Sequence, residues 1–101
     1  LDSFDGNDQM VAPAMKGAMG NCYAQLGQLD KASSMLLKAA DEADNTTLSP
    51  IYLKQAGEIL VKQGKYDDAI KAYTSIKEKY FRSYQAMDID KYIEQAKLLK
   101  K

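Results

Sequence analysis

The stretches Gly20–Ala32, GNCYAQLGQLDKA, and Gly57–Ala69, GEILVKQGKYDDA, place Gly, Gly and Ala at the same three offsets. Gly20 and Gly57, Gly27 and Gly64, and Ala32 and Ala69 are each 37 residues apart, as are Pro13 and Pro50. Four small or special residues in one register indicate a duplicated unit, and a period of roughly 20–50 residues indicates stacked repeats.

The second unit is the better marked. Ser49 is expected to cap a helix N-terminus, Pro50 suits the first helical position, and Leu48 and Leu53 have the spacing of a hydrophobic staple. Leu53, Ala56, Gly57, Leu60 and Val61 then recur at helical steps up to Gly64. A second helix is predicted from near Tyr66, with Asp67 and Asp68 in its first turn, where the helix dipole favours negative charge. Its inner face reads Ala69, Ile70, Tyr73 and Ile76. The first unit repeats the plan, with helices from about 11 to 26 and 29 to 43 around a turn at Gly27. Residues 41–49, DEADNTTLS, form the polar link between units. Two helices joined by a tight turn approach closely only where a side chain is nearly absent. Gly20, Gly57, Ala32 and Ala69 are therefore expected at helix contacts, and Gly27 and Gly64 at left-handed corners.

These residues resemble the tetratricopeptide repeat, a helix–turn–helix unit with the pattern W-x2-L-G-x2-Y, A-x3-F, P. MGNCY (Met19–Tyr23) followed by Ala32-x3-Leu36 is similar to its first part and hinge, as is AGEIL (Ala56–Leu60) followed by Ala69-x3-Tyr73. Gly64-Lys65-Tyr66-Asp67-Asp68-Ala69 matches the corner G-x-Y-x-x-A. The chain departs from the pattern at the Trp position, held by Lys16 and Leu53, and at the closing Pro, held by Asp44 and Phe81. Its period is also three residues longer than the family's 34. The resemblance implies an all-α superhelix: repeat 1 over residues 11–46, repeat 2 over 47–82 and a C-terminal capping helix over 83–101. In that helix Met87, Ile89, Tyr92, Ile93, Ala96 and Leu99 have helical spacing, and docking in a neighbour's groove is the alternative to capping. Leu1 and Phe4, followed by Gly6, read as the last turn of a preceding repeat, so residues 1–10 are expected to be its stub and the chain a C-terminal piece of a longer protein. Phrases such as SPIYLKQAG and DIDKYIEQAK are similar to the C-terminal part of membrane-anchored repeat proteins of the bacterial cell envelope. That likeness implies an inner-membrane anchor upstream and a domain outside the cytoplasm.

The resemblance also implies a binding groove lined by the first helix of each pair. Its positions fall on Ala14, Gly17, Asn21, Ala24 and Gln25, and on Ile51, Lys54, Glu58, Val61 and Lys62, while Tyr23 and Tyr66 join the glycines and alanines as structural positions. The subgroup that clamps C-terminal carboxylates needs a Lys where this chain has Gly17, so Asn21 alone does not reproduce it.

Composition narrows the function further. The chain has 101 residues, zero net charge and no histidine, which removes the commonest general base and most zinc sites. One cysteine allows no internal disulfide, and Cys22 is read as a small core residue. Asp5, Asp8, Asp88 and Asp90 do not form an EF-hand frame, no glycine-rich phosphate loop is present, and the Asn45-Thr46-Thr47 sequon is of a kind common by chance. No catalytic set, cofactor or metal site is expected, and a pI near 6.4 argues against nucleic acid. Charge is uneven: residues 1–50 carry net −4 and residues 51–101 net +4. The expected function is a non-catalytic scaffold that binds a peptide or helix, acidic partners included, with structural self-association as the alternative. Lys54 and Lys62 are the candidate charges for such a guest, unless both merely pair with Glu58 along their own helix.

Overall fold

We describe residues 11–100 from a computed structural model, with side chains from Pro13 onward. The expected stub at 1–10, with Leu1, Phe4, Asp5 and Asp8, lies outside the described residues. The fold is all-α: α1 (Val11–Gln25), α2 (Leu29–Ala43), α3 (Ser49–Lys62), α4 (Tyr66–Lys79), a short 3-10 helix (Tyr84–Asp88) and α5 (Ile89–Lys100). Each α-helix packs on the next, and the 3-10 helix rests against α3, α4 and α5. The body measures 46 × 31 × 15 Å.

The two corners are built identically. Gly27 and Gly64 take φ of 79° and 77°, where an L side chain is strained. The amide of Gln28 bonds the Tyr23 carbonyl at 2.9 Å and that of Gly27 the Ala24 carbonyl at 3.1 Å. Lys65 and Gly64 bond Leu60 and Val61 in the same way, at 2.9 and 3.0 Å. Both are Schellman endings, which satisfy the last carbonyls of a helix and turn the chain back.

Packing follows the same period. A Cβ on Gly20 would stand 2.8 Å from Leu36 Cγ, and one on Gly57 would stand 2.8 Å from Tyr73 Cζ. Leu36 and Tyr73 are themselves 37 residues apart. Ala32, Leu36, Ala39 and Ala40 form the buried stripe of α2, and Ala69, Ala72, Tyr73 and Ile76 that of α4. Ile70 is only half-buried. Tyr52, Leu53, Ala56, Ile59 and Leu60 of α3 complete the centre of the core.

The link between units differs from expectation. Ser49 does not cap α3. Leu48 stands at its N-cap with no side-chain cap bond, and Asn45 Oδ1 accepts from the amides of Thr47 and Leu48 at 3.0 and 2.7 Å in the turn that leads into α3. Ser49 is fully buried; its hydroxyl donates to the Ala40 carbonyl at 2.7 Å and accepts from the Asn45 amide at 3.0 Å. It therefore ties the end of α2 to the start of α3. Asp44 ends α2 with φ of 42°, and its carboxylate accepts the Tyr80 hydroxyl at 2.8 Å. A further tie joins the corners, where Asp30 accepts from Gln63 and Lys65 at 2.5 and 2.9 Å. These bonds hold its carboxyl below the usual range, Lys65 being the main cause.

The segment after α4 is not one continuous helix. Ser83 is buried and its hydroxyl accepts from the Ala86 amide at 3.2 Å, starting the 3-10 turn before α5. Ile89, Ile93 and Ala96 are buried, Tyr92 is half-buried, and Met87 and Leu99 are exposed. α5 covers α4, with Lys77–Asp90 and Lys100–Asp67 ion pairs of 2.8 and 2.6 Å at its two ends.

A cavity between the third and fifth helices

Helical spacing sets Lys54, Glu58, Val61 and Lys62 on one side of α3. In the folded chain that side meets α5. Val61, Tyr73, Tyr92, Ala96 and Leu99 supply the apolar lining of a cavity of about 320 Å³. Glu58, Lys62 and Gln95 supply its polar atoms. A second cavity, of about 310 Å³, is lined by Lys54, Tyr84, Met87 and Asp88. Lys54 of the second cavity contacts Tyr92 of the first, its ammonium 4.5 Å from the ring centre.

Tyr73 and Tyr92 are tilted against each other at 45°, with ring centres 5.7 Å apart. Burial pushes the Tyr73 phenol up to about 12, and the Glu58 and Tyr92 charges add to that effect. It stays protonated at neutral pH. Glu58 and Lys62 are exposed, and among the described residues neither forms an ion pair, with the other or with Lys54. The intrahelical pairing that would have occupied them is absent there.

The expected groove positions of α1 fare differently. Gly17 is buried: the ring of Tyr52 lies on it so closely that a Cβ would overlap the ring, which closes this position to a guest. Ala14, Asn21 and Gln25 are exposed, Ala24 packs half-buried against the core, and Ile51 does so on α3. Tyr23 is half-buried with the Lys31 ammonium 5.6 Å from its ring centre, and Tyr66 is half-buried in the first turn of α4.

Cys22 is exposed, contrary to its reading as a core residue. Asn45 of the sequon spends its carbonyl on the start of α3 and donates through Nδ2 to the Ala43 carbonyl at 3.2 Å. Among the described residues no three His, Cys, Asp or Glu side chains are grouped as a metal would need, and no helix is long and apolar enough to cross a membrane.

Tyr92, Gln95 and Leu99 were not foreseen at this site, yet a signal for them exists. Tyr92-Ile93-Glu94-Gln95-Ala96 repeats Tyr52-Leu53-Lys54-Gln55-Ala56 at a distance of 40 residues. Gly17 and Lys54 are 37 apart. Thus Tyr52 leans on Gly17 in the first interval and Tyr92 leans on the equivalent Lys54 in the second. The different period, 40 rather than 37, hides the third half-unit.

No family model, curated protein or solved structure matches the chain.

Proposed function

We propose that this chain is a non-catalytic interaction module of the tetratricopeptide type, with two helix pairs and a terminal helix, and that it binds a peptide or helix on the face formed by α3 and α5. The observation that carries this reading is the cavity between those helices. It joins an apolar lining from three helices to two side chains of opposite charge that form no ion pair among the described residues. Such a combination of apolar surface and a few polar groups suits a guest side chain. The lack of histidine in the whole chain favours binding over chemistry.

The test is selection of binders from a displayed library of random 16-residue peptides, followed by mapping the enriched peptides on the isotope-labelled protein by NMR. Amide shifts concentrated at residues 58–62 and 92–99 are the expected result. Failure to enrich any peptide would count against a peptide-binding module.

Self-association is supported by a separate observation. Ala14, Ala18, Met19, Cys22 and Leu26 are all exposed on or just after α1, a helix whose one charged side chain, Lys16, pairs with Glu42. Light scattering across a range of concentrations tests it: a mass that rises with concentration is expected on this second reading, and a constant monomer mass rules it out.

A further inference from the structure

Glu58 and Lys62 stand four residues apart on α3, so their charges project from neighbouring turns on the same side. Both line the same cavity, one turn from each other, with the apolar side chains Val61, Tyr92 and Leu99 beside them. Neither charge is neutralised by an ion pair among the described residues. Lys54, the other cation of this face, is engaged with the Tyr92 ring. The side chains lining this cavity therefore carry no net charge but have a fixed order along the helix, with a carboxylate first and an ammonium one turn later. A guest that is simply acidic would satisfy Lys62 and be repelled by Glu58.

We infer that the cavity takes an amphipathic helix of a partner protein that inserts one bulky apolar side chain and flanks it with an acidic side chain against Lys62 and a basic one against Glu58. This rests on the peptide-binding reading above. A helix is the form that matches the spacing, because its own side chains three or four residues apart share a face and can meet two charges one turn apart. Among the described residues there is no strand whose edge an extended peptide could join. The order of opposite charges sets the direction in which the guest lies, since the reversed helix would put like charges together.

The experiment compares the peptides that a displayed random 16-mer library yields against the parent protein and against the charge-swapped Glu58→Lys/Lys62→Glu variant, which keeps the net charge. Both positions are exposed. Peptides selected by the parent should share an aromatic residue or Leu with an acid and a base three or four residues from each other on the same helical face. The swapped variant should select the reverse order, and each protein should bind the other's peptides at least tenfold more weakly. The single variants Glu58→Gln and Lys62→Met give a second reading. The first should lose the preference for a base and the second the preference for an acid, each keeping the apolar anchor. If parent and variants enrich the same peptides with the same affinity, the inference is overturned while the binding module stands. If the parent enriches nothing, both fall. Enriched peptides that copy a segment of this chain would identify a second copy as the occupant and overturn the assignment to a partner protein.

Discussion

The Lys54 ammonium lies 4.5 Å from the centre of the Tyr92 ring, at the position where, one unit earlier, the ring of Tyr52 lies on the bare backbone of Gly17. The same contact between successive first helices is thus made twice with different chemistry. Where the earlier helix has no side chain the ring settles on the backbone, and where it has a lysine the ring accepts the cation.

A double-mutant cycle isolates that second contact. Lys54→Met and Tyr92→Leu, singly and together, should show a coupling of about 0.5–1 kcal/mol in urea unfolding, the usual worth of a partly exposed cation–π pair. Strictly additive effects would show that the lysine and the ring do not interact.

Gly57 and Gly64 separate two uses of glycine. Gly57→Ala places a methyl group into the Tyr73 ring, which is 2% exposed, and should cost about 1–3 kcal/mol. Gly64→Ala meets nothing within 4 Å but must hold φ near 77°, so it should cost about 1 kcal/mol through the backbone alone. Gly57→Leu should destabilise further while Gly64→Leu should resemble Gly64→Ala. Equal costs for both leucine variants, read by thermal and urea unfolding, would contradict the close approach at Gly57.

Ser49→Ala removes the hydroxyl that joins the Ala40 carbonyl to the Asn45 amide in a fully buried position. The loss should be about 1–3 kcal/mol, because a buried carbonyl is left without that donor. An unchanged melting temperature would show that the tie between α2 and α3 is dispensable.

The Tyr73 phenol has its folded value raised to about 12, above the ordinary value of 10. A group that binds its proton more tightly when folded stabilises the fold fully below the unfolded value and loses that contribution as pH rises towards the folded one. Stability should therefore fall between pH 10 and 12, and Tyr73→Phe should flatten part of that fall. Tyr80, raised mainly by burial and further by Asp44 accepting its hydroxyl, contributes in the same direction. Ultraviolet titration with parallel circular dichroism measures both. Unfolding that is independent of pH across this range would refute the assignment.

Deleting residues 83–101 uncovers α4, including Tyr73 and Ile76, which are 2% and 0% exposed. The shortened chain should aggregate or melt at lower temperature. A monomer with the parent melting point would mean that α5 is not needed to close the core.

Local chemistry alone determined the five helices and their corners. The steps of Leu53, Ala56, Leu60 and of Ala69, Tyr73, Ile76 set which faces are apolar, and a glycine after each first helix admits the left-handed turn, since both effects act within a few residues along the chain. Local chemistry also placed Lys54, Glu58 and Lys62 on one side of α3. Only the tertiary structure decided what that side faces. Gly17 belongs to the same series of positions as Lys54 but is covered by Tyr52, a residue from another helix. Cys22 has the polarity of a core residue but is exposed. Ser49 stands where a cap is expected, yet the Ala40 carbonyl of α2 takes its hydroxyl and α3 begins without a side-chain cap. At Gly17 and Ser49 the deciding partner, Tyr52 or the Ala40 carbonyl, belongs to another helix, which helical spacing does not reach.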